Sequence, residues 1–506
     1  MIRRKHMINE GIITFVSLFS PTTLLLMVAG TFLGIVVGAL PGLTATMAVS
    51  LLVSLTYGMK SADALIMLLS VYLGGIYGGS RSAILLNIPG TPSSAATSLD
   101  GWPLNLKGQG KLAGITVTTF SALGGVFGLV MLVIACPPLA ELALKIGYWE
   151  YFWLALMGIL LSASITSEAK IYKGILSGMF GLLISSVGID AIHGYPRFVF
   201  GYQKLMGGIN LVPAMIGLFG IAEVFSALTN QESHNILERK TEETILMAIK
   251  HSFRQLKEYF RVFSISSIIG TLIGALPGTG PDIASWVAYG TAKRTSKHKE
   301  EFGNGSWEGI ISSETANNAA TSGVFIPLLT MGIPGDAVSA VIMGGMQLHG
   351  YRPGPTFFYD SPGLVYFMVG ALLLVNIVMW IEGVAITPII AKILKAPVGI
   401  IMPIVVVLCV VGAYTINLLK FDIIIMLLFG FLGMVMRRFK IPAAPMTLGI
   451  ILGPLTDLSF RRGMMAGQFS MLPFFTRPIS LFLVVALAMA LILPQFKKMR
   501  QTKRNI

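Results

Sequence analysis

The chain has 506 residues, 54% of them hydrophobic and only 12% charged, about half the charge of a soluble domain. That composition excludes an ordinary soluble globular protein and implies an integral membrane protein. The net charge of +14 does not point to nucleic acid, because the basic residues stand in short blocks between apolar runs, as at Arg3-Arg4-Lys5, Lys293-Arg294, Arg437-Arg438 and residues 497–504, the pattern of the positive-inside rule.

From the N-terminus, Arg3-Arg4-Lys5 leads into an apolar run near residues 24–40. The start resembles a signal peptide but lacks a small-residue cleavage site, so the segment is expected to remain, with both termini cytoplasmic. Further runs follow near 62–86, 112–139, 151–165, 174–189 and 211–228. Residues 229–261 are polar and read as a cytoplasmic connector, partly helical. Apolar runs resume near 262–276, 309–330, 364–390, 398–418, 423–436, 442–455 and 479–493. At roughly 20 residues per crossing this gives about a dozen spans. Cys136 and Cys409 each lie in an apolar run, so no disulfide framework is implied.

The string GALPG occurs twice. Gly34, Gly38, Ala39, Leu40, Pro41 and Gly42 align with Gly270, Gly274, Ala275, Leu276, Pro277 and Gly278; farther on, Ile88-Pro89-Gly90 aligns with Ile333-Pro334-Gly335 and Ser94-Ala95 with Ser339-Ala340. Two matches in the same order argue for duplication: a first half, residues 1–228, the connector 229–261, and a second half, 262–506, carrying additional C-terminal helices. The expected fold is an all-α polytopic membrane protein of two repeats, an architecture that points to secondary transporters. Basic sequence flanks the second GALPG closely on both sides, so that segment is expected to enter the membrane and return with Pro277-Gly278 at its tip. More than one span separates Arg3-Arg4-Lys5 from the first GALPG, which favours inverted halves.

Proline and glycine inside an apolar run end intrahelical hydrogen bonds. The freed backbone groups cost several kcal/mol each in lipid, so such breaks must be buried in protein or line a wet cavity. A helix restarting after a break directs free N–H groups and a partial positive charge at the gap, which suits a carboxylate or phosphate. Thr44 and Thr46 follow the first break; Thr91-Pro92-Ser93-Ser94 follow the second as a threonine cap with proline at the first helical position. In the second half, Thr279, Gly280 and Asp282 follow Pro277-Gly278, and Asp336 follows Pro334-Gly335. Asp282 aligns with Thr46 and Asp336 with Thr91. Two readings stand: plain helix caps, or a cation side facing an anion side.

In SSETANNAATSG, Glu314, Asn317, Asn318 and Thr321 fall on one helical face. Such a stripe either faces the protein interior or dips into the headgroup region, and its cost in lipid favours the interior. Asn87 precedes the second break, and Arg81 is either a countercharge for an anion or a snorkelling residue. Gly30, Gly34 and Gly38, like Gly270 and Gly274, recur every four residues, which suits close helix packing without any ligand. No G-x-x-x-x-G-K-[ST], H-E-x-x-H or G-x-S-x-G occurs, which disfavours an ATP-driven pump or an intramembrane enzyme. A passive anion channel remains the rival from another class, since broken helices also line selectivity filters.

The strings YGGSRSAILLNIPGTPSSAATSLDGWPL, GALPGTGPDIASWVAYG and SSETANNAATSGVFIPLLTMGIPGDAVSA closely resemble the large membrane subunit of the tripartite tricarboxylate transporters, the TctA family, over about residues 24–493. The family motifs fall on Pro41-Gly42, Asn87 to Thr91, Asp100-Gly101, Pro277 to Gly280, Glu314 to Asn318 and Pro334-Gly335. The resemblance implies a bacterial inner-membrane permease importing carboxylates, working with a small membrane subunit and a periplasmic solute-binding receptor. It also implies drive by an ion gradient. Each elementary charge moved against the potential costs about 2.3 kcal/mol per 100 mV, so a dianion needs about two cations for neutrality and a third for the potential to assist. The expected substrate site comprises Pro41, Gly42, Thr44, Thr46, Asn87, Gly90, Thr91, Ser93, Ser94, Gly278, Thr279, Gly280, Asn317, Asn318 and Gly335. The expected coupling-ion groups are Asp282, Glu314 and Asp336. No cofactor is expected beyond co-transported Na⁺ or H⁺. An anion-selective channel, or a carrier for another small organic anion, is the alternative.

Overall fold

The computed structural model describes residues 16–40, 43–166, 171–229, 244–394 and 398–489. Pro41 and Gly42, both terminal basic blocks and the centre of the connector lie outside the described residues. The protein is an all-α membrane protein. Five described helices, Pro21–Ala39, Ser61–Leu86, Gly110–Ala143, Pro362–Ile386 and Ala443–Ala466, are long and apolar enough to cross a bilayer. The polarity is that of a protein in lipid: Leu25 is 68% and Phe482 69% exposed, whereas Glu314, Asn317 and Asn318 are fully buried. Apolar side chains face the hydrocarbon, and the polar ones must find partners inside.

Two compact units form, one from Met1–Pro138 with Val212–Met434, the other from Leu139–Leu211 with Val435–Ile506. In the first unit the chain runs through α1 (Pro21–Ala39), α2 (Ala45–Leu55), α3 (Ser61–Leu86), α4 (Ala95–Leu106) and α5 (Gly110–Ala143). After the connector it continues through α6 (Ile245–Glu258), α7 (Phe260–Gly274), α8 (Gly280–Thr295), α9 (Trp307–Gly323), α10 (Phe325–Met331), α11 (Ala337–Leu348) and α12 (Pro362–Ile386). At 1.5 Å per residue, α2 and α11 reach only about halfway across a 30 Å core. They are broken helices, and the interruptions fall at the proline-glycine motifs.

Glycine sets how these helices approach. A Cβ at Gly34 or Gly38 of α1 would strike the backbone of Val71 or Gly75 in α3, and one at Gly270 or Gly274 of α7 would strike Ala316 or Ala320 in α9. A Cβ at Gly90 would meet the Gly38 carbonyl and Gly79; one at Gly335 would meet the Gly274 carbonyl and Val324. Each contact in the first set has its aligned counterpart in the second. The glycine stripes therefore serve backbone-to-backbone packing. Asn87 ends α3 in the left-handed conformation (φ 58°), and Gly332 ends α10 the same way (φ 71°). α4 and α8 also rest on the same loop, because Asp100 Oδ1 accepts from the N–H groups of Gly303, Gly305 and Ser306 at 2.7, 3.0 and 2.9 Å.

In the second unit, the helix Ile171–Ser185 packs against Ala443–Ala466, with Gly181 against the Met446 carbonyl and Gly449 against that of Gly178. A short antiparallel ribbon, β1 (Gly188–Ile189) with β2 (Pro196–Arg197), follows the first of these helices. In its loop Asp190 accepts from both terminal nitrogens of Arg461, and from the His193 N–H at 2.8 Å. The Arg461 guanidinium holds the Asp190 carboxyl well below the usual carboxylate range. A depressed folded-state value means that the stabilisation is complete above the unfolded value of about 3.9 and is lost as pH falls through the lower folded value. The unfolding temperature in detergent should therefore fall on acidification in that window. Asp190→Asn should remove this component, and an identical acid profile for the variant would contradict it.

Candidate functional site

The breaks are built by capping chemistry. Thr44 caps α2, its Oγ1 accepting from Met47 N at 3.1 Å. Thr91 caps the turn Pro92–Ser94 ahead of α4, and its hydroxyl meets that of Ser93 at 2.9 Å. Thr279 precedes α8, donating from Oγ1 to the carbonyls of Ile273 and Leu276 and so closing the end of α7. Asp336 caps α11 in a reciprocal box with Ser339: Oδ1 accepts from Ser339 N at 2.7 Å, and Asp336 N donates to Ser339 Oγ at 3.0 Å. Aligned Thr91 and Asp336 are thus both caps. Asp336 does more, since its Oδ2 accepts from Tyr72 Oη of α3 at 2.9 Å.

That last contact joins the two halves, and it has a partner. Asn317 of α9, which aligns with Tyr72, directs Nδ2 to the carbonyl of Ser93 at 3.5 Å. Each half thus sends one polar side chain from its long third helix to the second break of the other half. The restart helices follow the same exchange: α2 packs on α11, and α8 packs on the Pro92–Ser94 turn and on α4. Gly280 opens α8 at φ +60°, and a Cβ there would lie 2.6 Å from that of Asp336, so the second half's two breaks touch. Asp282 stands in the first turn of α8, two residues beyond that contact.

The polar stripe of α9 is interior. Glu314 accepts from Thr97 of α4 at 2.5 Å and from Ser121 of α5 at 3.1 Å. Asn318 donates to Asn317 Oδ1 at 2.6 Å, leaving its own buried Oδ1 without a partner among the described residues. Gly90, Thr91, Ser93, Ser94, Gly278, Thr279, Gly280 and Gly335 are buried; Thr44, Thr46 and Asp336 are partly exposed, and Asn87 and Asp282 are exposed. Asp282 and Asp336 of the second half and Thr44 and Thr46 of the first thus keep accessible surface, while Glu314 is sealed. Tyr72, Thr97 and Ser121 escaped the sequence reading. Their partners lie far away in sequence, and an apolar-run tyrosine or threonine carries no local mark.

Arg81 neither snorkels nor faces the breaks. It is 2% exposed, and Nη2 shares its two N–H donors among Tyr77 Oη, Thr118 Oγ1 and Gly383 O, the latter two at 2.7 Å, and Thr387 Oγ1 at 3.2 Å, tying α3 to α5 and α12. Each charged hydrogen bond lost contributes about 1.5–3 kcal/mol. Arg81→Met is expected to lower the unfolding temperature clearly, with Arg81→Lys between the two because an ammonium lacks the planar fork. An unchanged melt for Arg81→Met would remove this clamp from the account.

Residues 24–448 match the family described as Tripartite tricarboxylate transporter TctA family. An Agrobacterium vitis protein, "Uncharacterized 52.8 kDa protein in TAR-I ttuC' 3'region", is 36% identical over 490 residues, covering 96% of each chain. A second from the same organism, "Uncharacterized protein in TAR-II ttuC' 3'region", is 37% identical over 211 residues, 42% of this chain and 87% of that one. No solved structure matches.

Proposed function

Because this chain belongs to the tripartite tricarboxylate transporter TctA family, we propose that it is a secondary active permease importing di- or tricarboxylates on a Na⁺ or H⁺ gradient. In this reading it lies in the bacterial inner membrane, works beside a small membrane subunit and receives its substrate from a periplasmic binding protein. The reading rests above all on the reciprocal contacts of Tyr72 with Asp336 and of Asn317 with Ser93, by which each half sets a polar side chain on the second break of the other. Substrate carboxylates take the N–H groups opening α2 and α4 together with the amides of Asn317 and Asn318. Cations enter at Asp282 and Asp336, while Glu314, enclosed by two hydroxyls, is reached by a proton or a fully dehydrated cation. The halves are inverted in this scheme, so thiol probes beside Lys60 and Lys293 should react from opposite faces.

The test is uptake of labelled di- and tricarboxylates by proteoliposomes holding the membrane subunits, with the binding protein outside. Saturable uptake that needs the binding protein and one ion gradient, and that collapses with the matching ionophore, is expected. Uptake indifferent to every gradient rejects coupling. Uptake that never saturates and ignores the binding protein would make the protein an anion channel.

A further inference from the structure

Helix α6 stands at the connector's exit. Its sequence ILMAIKHSFRQLKE is strongly two-sided. Ala248, Ser252 and Gln255 are buried against α5, where Ser252 meets Thr119 at 3.0 Å and Gln255 accepts from Thr116 at 2.8 Å. The opposite face leaves Leu246 77%, Met247 64% and Phe253 45% exposed, alongside exposed Lys250, Arg254 and Lys257. Large apolar side chains mixed with cations on one exposed face are what a helix lying in the membrane–water boundary presents.

Beneath Phe253 opens a crevice of about 210 Å³ between α5 and α12, lined mainly by apolar side chains, with Thr119 and Asn376 also in its lining. Ala122, Leu123 and Val126 form one wall, Ile377 and Trp380 the other, and Phe253 the lip. Trp380 is fixed there, its indole donating to Thr119 Oγ1 at 3.3 Å and its ring 6.2 Å from that of Phe253. From Thr119 to Val126 the wall runs about 10 Å along α5 at 1.5 Å per residue. Lys250 and Lys257 stand three residues before and four after Phe253, so both flank the crevice mouth on the same helical face. Arg254 adds a third cation, and Glu258 is the one acid on that side.

We propose that this crevice seats one anionic phospholipid, an acyl chain lying against Trp380 and Ile377 and the headgroup phosphate held between Lys250 and Lys257. The charge selects the ligand. A zwitterionic lipid would fill the groove equally well but would gain little from the lysines, each worth roughly fivefold in affinity for an anionic surface.

Trp380 provides the probe. In nanodiscs of the full chain, a small fraction of brominated phosphatidylglycerol should quench the Trp380 fluorescence, taken as wild type minus Trp380→Phe, on the order of tenfold more effectively than brominated phosphatidylcholine. The exposed double variant Lys250→Gln/Lys257→Gln should fold normally, keep the quenching and lose the preference. Equal quenching by both lipids in the wild type overturns the proposal. So does abolition by excess inorganic phosphate, which would mark a free-anion site, or loss on co-assembly with the small membrane subunit, which would give the groove to a protein helix.

Discussion

Gly90→Ala is expected to abolish uptake and to reduce the yield of folded protein, although it adds a single methyl group. That methyl would be driven into the Gly38 carbonyl and would lie 3.1 Å from the Gly79 Cα. Ser82 Oγ, 2.7 Å away, can turn aside, but these two neighbours are backbone and cannot. Overpacking typically costs about 1–3 kcal/mol, more where the obstacle cannot relax, and here the strain falls on the turn that aims Thr91 and Ser93. The second half makes the same prediction independently. Gly335→Ala would set its methyl 2.6 Å from the Gly274 carbonyl and 2.7 Å from the Val324 Cα. Gly58, with nothing within 4 Å of its would-be Cβ, is the control, and Gly58→Ala should be silent. Thermal unfolding and uptake together check the set; a fully active Gly90→Ala protein would mean that α1, α3 and the break are not packed as described.

Asp336→Asn separates the two readings of the second-half carboxylates. Asparagine caps helices as well as aspartate does; its Oδ1 can still accept from Ser339 N while its Nδ2 donates to Tyr72 Oη, the hydroxyl turning from donor to acceptor, so stability should hardly change. The negative charge is removed. With Asp336 as a cation group, uptake should fall by an order of magnitude or more, the scale of a charge-assisted bond lost, and the ion concentration needed for half-maximal uptake should rise. Asp282→Asn should act in the same direction, because Asp282 stands in the first turn of α8, whose opening residue Gly280 lies against Asp336. Should ion dependence in both variants match that of the wild type, capping alone accounts for Asp336.

How far the sequence carries depends on the range of each interaction. The breaks were legible because proline and glycine act on their own backbone: Thr44, Thr91, Thr279 and Asp336 all stand at helix starts, and each signal lies within a few residues. The glycine stripes were legible for the same reason. The buried face of Glu314, Asn317 and Asn318 followed from helical spacing and the cost of polar groups in lipid. What those residues meet did not follow. Tyr72 and its aligned counterpart Asn317 share no chemistry, so nothing in the repeat marks them as a matched pair of contacts between the halves. Arg81 could be weighed only as a countercharge or a surface residue, because the Gly383 carbonyl that captures it belongs to a helix far along the chain. Asp100 entered only as part of a family motif, its task of gathering three loop N–H groups being invisible without the loop beside it.

The most direct measurement is substrate protection of single cysteines placed on the two sides of the centre, at Thr46 and at Asp282, with Cys136 and Cys409 replaced by serine. Both positions retain solvent exposure, so a hydrophilic thiol reagent should label each. If the first half's restart and the second half's carboxylates face one bound carboxylate, the same di- or tricarboxylate should slow labelling at both sites with the same half-saturating concentration. Protection at one position only, or at neither under conditions where uptake proceeds, would contradict a shared site between the halves.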